Sequence, residues 1–197
     1  MTSIINHWIN GELQPSTSER YGDVFNPATG EVSASVTMGN SDDLNKAVES
    51  ASKAFETWSQ TSVTKRAQIF FKYKELLESN REELIDLITR EHGKVAADAA
   101  GSLQRGIEVV DFVCGIPHLL KGEFSEQVGT GIDCYSTRQP IGVCSGVTPF
   151  NFPAMVPMWM FPIAIACGNT FILKPSEKDP SCAMKLAELL QEAGLPK

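Results

Sequence analysis

The chain has 197 residues, of which 17 are Lys or Arg and 24 are Asp or Glu, giving a formal net charge of −7 and an isoelectric point near 5.0. This acidic balance argues against a nucleic-acid binder, whose affinity would need a basic surface that neutralises phosphates. Hydrophobic residues make up 42% of the chain, enough for a sizeable core, and small molecules are the expected partners.

Cysteine usage indicates a reducing compartment. The five cysteines are scattered and odd in number, without a C-x-x-C pair, and the chain has only three histidines. We expect free thiols, no metal site, and raised pKa values for Cys144 and Cys167 in a predicted core strand and core helix. The amino terminus carries no signal or transit pattern, so the expected location is the cytoplasm.

Residues 6–38 are typical of short strands and turns. Asn10-Gly11 predicts a hairpin turn, and Asn26-Pro27 with Thr29-Gly30 predicts a second turn.

Four helices follow. The first begins at Asn40 or Ser41 and is expected to bury Leu44, Val48, Ala51, Phe55 and Trp58. The second spans about 65–78, and the third begins at a predicted capping box, Ser79 to Glu82, and ends at Gly93. The fourth, about 95–115, is rich in small residues and should pack closely. Its narrow polar stripe contains Lys94, Asp98, Arg105 and Glu108.

The segment after Gly122 predicts an exposed hairpin. Two short extended pieces between Phe124 and Pro140 are separated by Gly129 and Gly131. Few neighbours are available to it within the chain, so we interpret it as an arm that pairs with another subunit.

The last part predicts two buried parallel strands, 143–148 and 170–173, joined by a helix. The apolar run 152–167 is shorter than the roughly 20 residues of a membrane span, and Pro153 suits a first helical turn. Ser181 should cap a final helix that ends at Gly194. Because two parallel strands make a poor sheet, we expect the chain to be part of something larger.

Polar residues follow both predicted strands, where ligands bind in open α/β sheets. They are Asn151, Lys174 and Glu177. From the residues alone, a turn asparagine and two solvated loop charges are the favoured explanation, and for Arg105 the favoured explanation is a surface arginine paired with Asp98 or Glu108. The chain has no G-x-G-x-x-G or Walker loop.

The sequence strongly resembles the aldehyde dehydrogenase superfamily over nearly all of its length. The motifs that carry the resemblance are Trp8 to Gly11, Asn26 to Gly30, Glu91 to Lys94, Pro149 to Pro153, Gly168 to Thr170 and Lys174 to Glu177. The run 149–177 is most similar to the acylating, coenzyme-A-dependent methylmalonate-semialdehyde dehydrogenase branch.

This resemblance implies an α/β fold, the amino-terminal part of an aldehyde dehydrogenase. A helical layer would be joined to the first strands of a Rossmann-like parallel sheet and a β-hairpin oligomerisation arm. The implied divisions are 1–122, strands and helices of the cofactor-binding domain; 123–140, the arm; and 141–197, the first two βα units. A dimer or tetramer of identical subunits is expected.

It also implies residue roles. The amide of Asn151 would donate to the oxyanion formed from an aldehyde, and Arg105 would bind the carboxylate of a semialdehyde substrate. NAD would lie against Thr148, Pro149, Phe150, Lys174, Ser176 and Glu177. Glu177 would accept ribose hydroxyls and repel a 2′-phosphate, favouring NAD over NADP.

The implied reaction oxidises and decarboxylates the semialdehyde and transfers the acyl group to coenzyme A. None of the five cysteines stands in the nucleophile motif, so the chain alone should be inactive. A non-acylating aldehyde dehydrogenase, with a structural Arg105, stays an alternative. So does a short, non-catalytic chain that binds nucleotide weakly or exchanges its hairpin with a partner.

Overall fold

A computed structural model describes residues 3–197. The strands are β1 (Ser3–Ile5), β2 (His7–Ile9), β3 (Glu12–Gln14), β4 (Tyr21–Asn26), β5 (Glu31–Thr37), β6 (Phe124–Gly129), β7 (Ile132–Tyr135), β8 (Val143–Val147) and β9 (Thr170–Lys174). The helices are α1 (Ser41–Trp58), α2 (Val63–Ser79), α3 (Arg81–His92), α4 (Ala96–Cys114), α5 (Ile116–Leu119), α6 (Met155–Ala166) and α7 (Ser181–Glu192).

The amino-terminal strands form two small sheets. β2 and β3 pair antiparallel through a turn at Asn10 and Gly11, whose φ angles of 56° and 70° suit a tight hairpin. The hairpin turn predicted at this position is confirmed. The second sheet has the order β1-β5-β4, with β1 parallel to β5 and β4 antiparallel to it.

The main hydrophobic core lies among the helices. Its fully buried side chains include Phe70, Tyr73, Leu77, Leu84, Ile88, Leu103, Ile107, Val110 and Met158. α4 and α6 approach closely at one glycine, because a Cβ atom placed on Gly106 would lie 2.1 Å from Met158 Cε. The close packing predicted from the small residues of this helix is confirmed.

Helix α1 differs from its predicted burial. Asn40 and Asp43 form a capping box, in which the side chain of each accepts from the backbone amide of the other. This confirms Asn40, one of the two predicted starts, as the cap of the helix. Trp58 is buried, but Leu44 and Val48 are 57% and 41% exposed. The prediction that these two face a core is wrong, because α1 packs chiefly on β8 and β9 and leaves their side open to solvent.

Two predicted caps are also wrong, because other groups take their places. Ser79 is the last residue of α2, and the Asn80 side chain donates to Leu76 O at 2.8 Å instead of capping α3. Ser181 is the first residue of α7, and its amide donates to Glu91 Oε2 at 3.0 Å. A distant carboxylate thus caps the last helix.

The parallel pair β8–β9 forms in register from Val143–Thr170 to Val147–Lys174. Its predicted burial is only partly correct, since Val143 and Val147 are 38% and 76% exposed. Gly146 faces Met160 of α6, whereas the valines point to the side that no element of residues 3–197 covers. Pro153 precedes α6 rather than occupying its first turn.

The predicted hairpin is present as the antiparallel pair β6–β7. Its large hydrophobic side chains are exposed: Phe124, Val128, Ile132 and Tyr135. In the described part of the chain, no helix is both long and apolar enough to cross a membrane.

Candidate active site and cofactor edge

A cavity of about 480 Å³ lies between the first turns of α4 and the turn that follows β8. Its lining residues are His92, Lys94, Ala97, Asp98, Gly101, Ser102, Arg105, Asn151 and Phe152. The two predicted substrate-side residues, Arg105 and Asn151, therefore share one cavity although they are far apart in sequence.

Asn151 sits in a turn anchored to the sheet. The amide of buried Thr148, one residue past β8, donates to Lys174 O at 3.1 Å and fixes the start of the turn. Asn151 itself is exposed, and within residues 3–197 its side-chain amide makes no hydrogen bond. The self-bonded turn asparagine considered from the sequence is therefore not what the structure contains.

The main chain of the same turn is held by Lys94. Its Nζ donates to Asn151 O at 2.8 Å and lies 4.3 Å from the centre of the Phe152 ring. Burial lowers the pKa of Lys94, although Asp98 and Asp179 oppose this shift. Lys94 was expected on a polar stripe and in the Glu91 to Lys94 motif, but no local signal indicated that it would bond a residue 57 positions away.

Arg105 is exposed at the other side of the cavity. It also lines an adjoining groove of about 470 Å³ with Glu108, Val109, Phe112, Trp159 and Ile163. No ion pair or hydrogen bond of Arg105 occurs within the described range, so its pairing with Asp98 or Glu108 is not seen. The guanidinium is available for a planar anion such as a carboxylate.

The charges around the cavity suit an anionic ligand. Two cationic side chains, Lys94 and Arg105, and one acidic side chain, Asp98, line the cavity. Burial, and then the charge of Lys94, lower the pKa of His92, which keeps this imidazole neutral near pH 7. A carboxylate at Arg105 and an oxygen at the Asn151 amide would both be satisfied here.

The second group of predicted residues lies at the carboxyl edge of β8 and β9. Lys174 Nζ and Glu177 Oε2 are 3.2 Å apart and both side chains are substantially exposed. Backbone hydrogen bonding, together with Lys174, lowers the pKa of Glu177, so this carboxylate is ionised at neutral pH. An ionised, accessible carboxylate fits the hydroxyls of a ribose.

Other predicted cofactor residues shape this edge. Ser176 is buried and its Oγ accepts from Lys178 N at 3.1 Å, so it holds the turn rather than facing solvent. Pro149 and Phe150 are exposed, and Lys178 Nζ lies 4.3 Å from the Phe150 ring centre. Thr148 is 4% exposed, so its contribution to a ligand is through the turn it anchors.

Two further buried polar residues, Arg66 and Asn169, support the site from within. Arg66 is buried and its Nε donates to Ala166 O at 2.8 Å, at the carboxyl end of α6. Asn169 accepts from the amides of Ile141 and Gly142, fixing the entry into β8. Asn169 belongs to the Gly168 to Thr170 motif, whereas no sequence signal indicated Arg66.

All five cysteines are free. Burial raises the pKa of Cys167, as expected, and also raises the pKa values of Cys114 and Cys182. Cys144 is half-buried rather than part of a closed core. No cluster of His, Cys, Asp and Glu side chains that could hold a metal ion occurs among residues 3–197.

Comparison with known proteins agrees with this architecture. The model of the aldehyde dehydrogenase family matches residues 13–197, and the chain belongs to that family. The α/β fold class expected from the sequence is confirmed, since solved aldehyde dehydrogenases superpose on the whole chain.

More specific similarity lies within one branch. The chain is 54% identical over 193 residues to the malonate-semialdehyde dehydrogenase of Pseudomonas aeruginosa, covering 98% of this chain and 39% of that protein. A methylmalonate-semialdehyde dehydrogenase from Oceanimonas doudoroffii superposes with a TM-score of 0.96 at 54% identity, over 100% of this chain and 40% of that one. A Sinorhizobium meliloti protein assigned to the same activity and solved with NAD gives 0.97 at the same identity and coverage. The chain therefore spans about 40% of the length of these relatives.

Proposed function

We propose that this chain is the amino-terminal part of an NAD-dependent, coenzyme-A-acylating dehydrogenase of malonate or methylmalonate semialdehyde. The observation that carries the proposal is the shared cavity of Arg105 and Asn151. One residue suits a carboxylate and the other suits a carbonyl oxygen, which are the two polar ends of a semialdehyde. The similarity to malonate- and methylmalonate-semialdehyde dehydrogenases supports the same substrate class.

In this proposal, the Asn151 amide donates to the aldehyde oxygen as a thiolate from the rest of the protein adds to the carbonyl carbon. A neutral donor aimed at a developing oxyanion contributes about 3 kcal/mol to transition-state stability. Arg105 orients the substrate through its carboxylate. The carbonyl carbon then loses a hydride and becomes a thioester.

The bound carboxylate accounts for the remaining chemistry. It lies β to the thioester carbonyl, so it can leave as carbon dioxide while the carbonyl accepts the electron pair as an enolate. Protonation of that enolate and attack by the thiol of coenzyme A release acetyl- or propionyl-coenzyme A. The thiolate is regenerated.

NAD, when bound, supplies the hydride acceptor. Glu177 and Lys174 would hold its adenosine ribose, with Thr148, Pro149, Phe150 and Ser176 shaping the turns around it. The ionised Glu177 would repel a 2′-phosphate, which favours NAD over NADP.

The exposed hairpin fits the proposed assembly. Phe124, Val128, Ile132 and Tyr135 would be covered by another subunit of a homo-oligomer. The divisions at residues 122 and 140 follow this interpretation, and the cytoplasm is the compartment we propose for the enzyme.

The experiment is an assay of the complete gene product with malonate or methylmalonate semialdehyde, NAD and coenzyme A. We expect NADH, carbon dioxide and an acyl-coenzyme A thioester in equal amounts. NADH with a free acid and no carbon dioxide would instead support a non-acylating dehydrogenase. A reading frame that stops at Lys197, with no turnover, would support the short non-catalytic chain.

A further inference from the structure

Lys94 occupies a fixed position between α3 and α4. Gly93 ends α3 with a φ of 84°, and a Cβ atom at that position would lie 2.6 Å from Pro27 Cγ. The backbone before Lys94 thus turns sharply in a left-handed conformation that glycine adopts at little cost. The lysine side chain is directed from this turn toward the cavity shared by Arg105 and Asn151.

The contacts of Lys94 are made with the turn that carries Asn151. Its ammonium donates to Asn151 O at 2.8 Å and lies 4.3 Å from the Phe152 ring centre. Asp98 lowers the energy of the ammonium from a distance, but no carboxylate of the described residues lies within ion-pair range of it. The hydrogen-bond acceptor of the ammonium is therefore a neutral main-chain carbonyl.

The carbonyl it holds belongs to the residue proposed as the oxyanion donor. Holding the carbonyl of Asn151 restrains the main chain from which its side chain departs. The Asn151 side chain has no hydrogen bond of its own within residues 3–197, so its position depends on the main chain and on its own rotamer.

We propose that Lys94 is a positioning residue that holds the Asn151 amide on the aldehyde oxygen through its bond to the Asn151 carbonyl. This inference rests on the proposed function of Asn151. Oxyanion donors must lie within a few tenths of an ångström of their target, and a displacement of about 1 Å can cost a factor of 100 in rate.

Three variants separate the parts of this role. Lys94→Met keeps the length of the side chain and its packing on Phe152 but removes the donor. Lys94→Arg keeps a cationic donor. Lys121→Met changes an exposed lysine away from the site and serves as the control.

The first measurement is amide hydrogen exchange, followed by mass spectrometry, on the complete protein, which does not depend on catalysis. We expect Lys94→Met to speed exchange in peptides that contain residues 150–152 while exchange in α4 and α6 stays unchanged. Lys94→Arg and Lys121→Met should resemble the parent. Unchanged exchange at 150–152 in Lys94→Met would overturn the proposal.

The second measurement is steady-state kinetics of the complete enzyme. Lys94→Met should lower kcat about 10- to 100-fold for propanal and for the semialdehyde alike, with KM for NAD within about twofold. Lys94→Arg should recover most of this loss, and the deuterium isotope effect with 1-deuterated propanal should rise in Lys94→Met. Equal losses in both variants, or kcat within about twofold of the parent in Lys94→Met, would contradict it.

The two measurements distinguish this inference from the function it rests on. A complete gene product that oxidises no aldehyde would overturn the proposed function and, with it, the catalytic role of Lys94. The hydrogen-exchange result would still decide whether Lys94 fixes the Asn151 turn.

Discussion

Asp179 is a buried carboxyl group in the turn before α7. It is 2% exposed, so its carboxyl group is shielded from solvent. Burial raises its pKa from 3.8 to about 7; the Ser176 hydroxyl and Lys94 oppose this shift, and the charges of Glu91 and Glu177 add to it. The folded chain therefore holds a proton here that the unfolded chain releases near pH 4.

This difference makes stability depend on pH with a defined sign. Because the folded state binds more protons between about pH 4 and pH 7, its free energy of unfolding should fall as the pH rises through that interval. Asp179→Asn removes this titration. From pH 5 to pH 8 the variant should therefore lose less stability than the parent, by about 1–3 kcal/mol in the free energy of unfolding, and its melting temperature should fall less. Thermal melts from pH 5 to pH 8 check this, with the exposed Asp86→Asn as the control.

An Asp179→Asn chain whose melting temperature depends on pH as steeply as that of the parent would contradict the assignment. Glu91, whose pKa is also raised by burial, would then be the group responsible.

At the scale of single residues, the sequence could predict which residues lie near strand ends but not which residues they would contact. Lys174 is the last residue of β9, and Asn151 and Glu177 lie in the turns that follow β8 and β9, where the motif and strand pattern indicate a ligand edge. The bonds of Lys94 and Arg66 join residues 57 and 100 positions apart. Such contacts arise only when the helices pack, so no local pattern predicts them.

At the scale of elements, α4 and α6 set the distance across the cavity. Arg105 lies on α4 beside Gly106, and Asn151 lies in the turn that leads into α6. Met158 of α6 is fully buried against Gly106, so a larger residue at this glycine would displace the Met158 side chain within the core.

We expect Gly106→Ala to lower the free energy of unfolding, measured by urea titration, by about 1–3 kcal/mol through overpacking. The gain in helix propensity, up to about 1 kcal/mol, offsets only part of this loss. Gly101→Ala on the same helix is the matched control, because a Cβ atom there would meet nothing within 4 Å. It should be neutral or stabilising.

Adding Met158→Ala to Gly106→Ala should then cost less than the sum of the two single changes. Additive losses would show that the two side chains do not compete for the same space.

The amphipathic helices α1, α3, α4 and α7 follow the 3.6-residue period, and their existence was predictable for that reason. The caps and the buried faces of the helices were less predictable. The cap of α7 comes from Glu91, and Leu44 and Val48 remain exposed although their spacing suits a buried face. Which side chains are buried and which groups cap a helix depend on how the elements pack together. A local sequence pattern describes only one of the two elements in each contact.

At the scale of the whole molecule, the β6–β7 hairpin is the clearest exposed apolar feature of the described residues. Its side chains project without a covering element, which suits pairing with another subunit. We expect Ile132→Lys, at a position 59% exposed, to shift the complete protein to a smaller assembly in light scattering. A charge in a closed interface cannot be solvated.

Val95→Lys is the control, because Val95 is 65% exposed on a helix start away from the hairpin. Should both variants keep the mass of the parent assembly, the hairpin would not be an oligomerisation arm.

The central claim is that Arg105 selects substrates by their carboxylate, and the KM values of Arg105→Ala in the complete enzyme test it most directly. An unpaired guanidinium in the Asn151 cavity should contribute about 1.5–3 kcal/mol through a charged hydrogen bond. We predict that KM for methylmalonate semialdehyde rises about 10- to 100-fold while KM for propanal changes less than about twofold, with Arg90→Ala unchanged for both. An equal rise for both substrates would contradict the account.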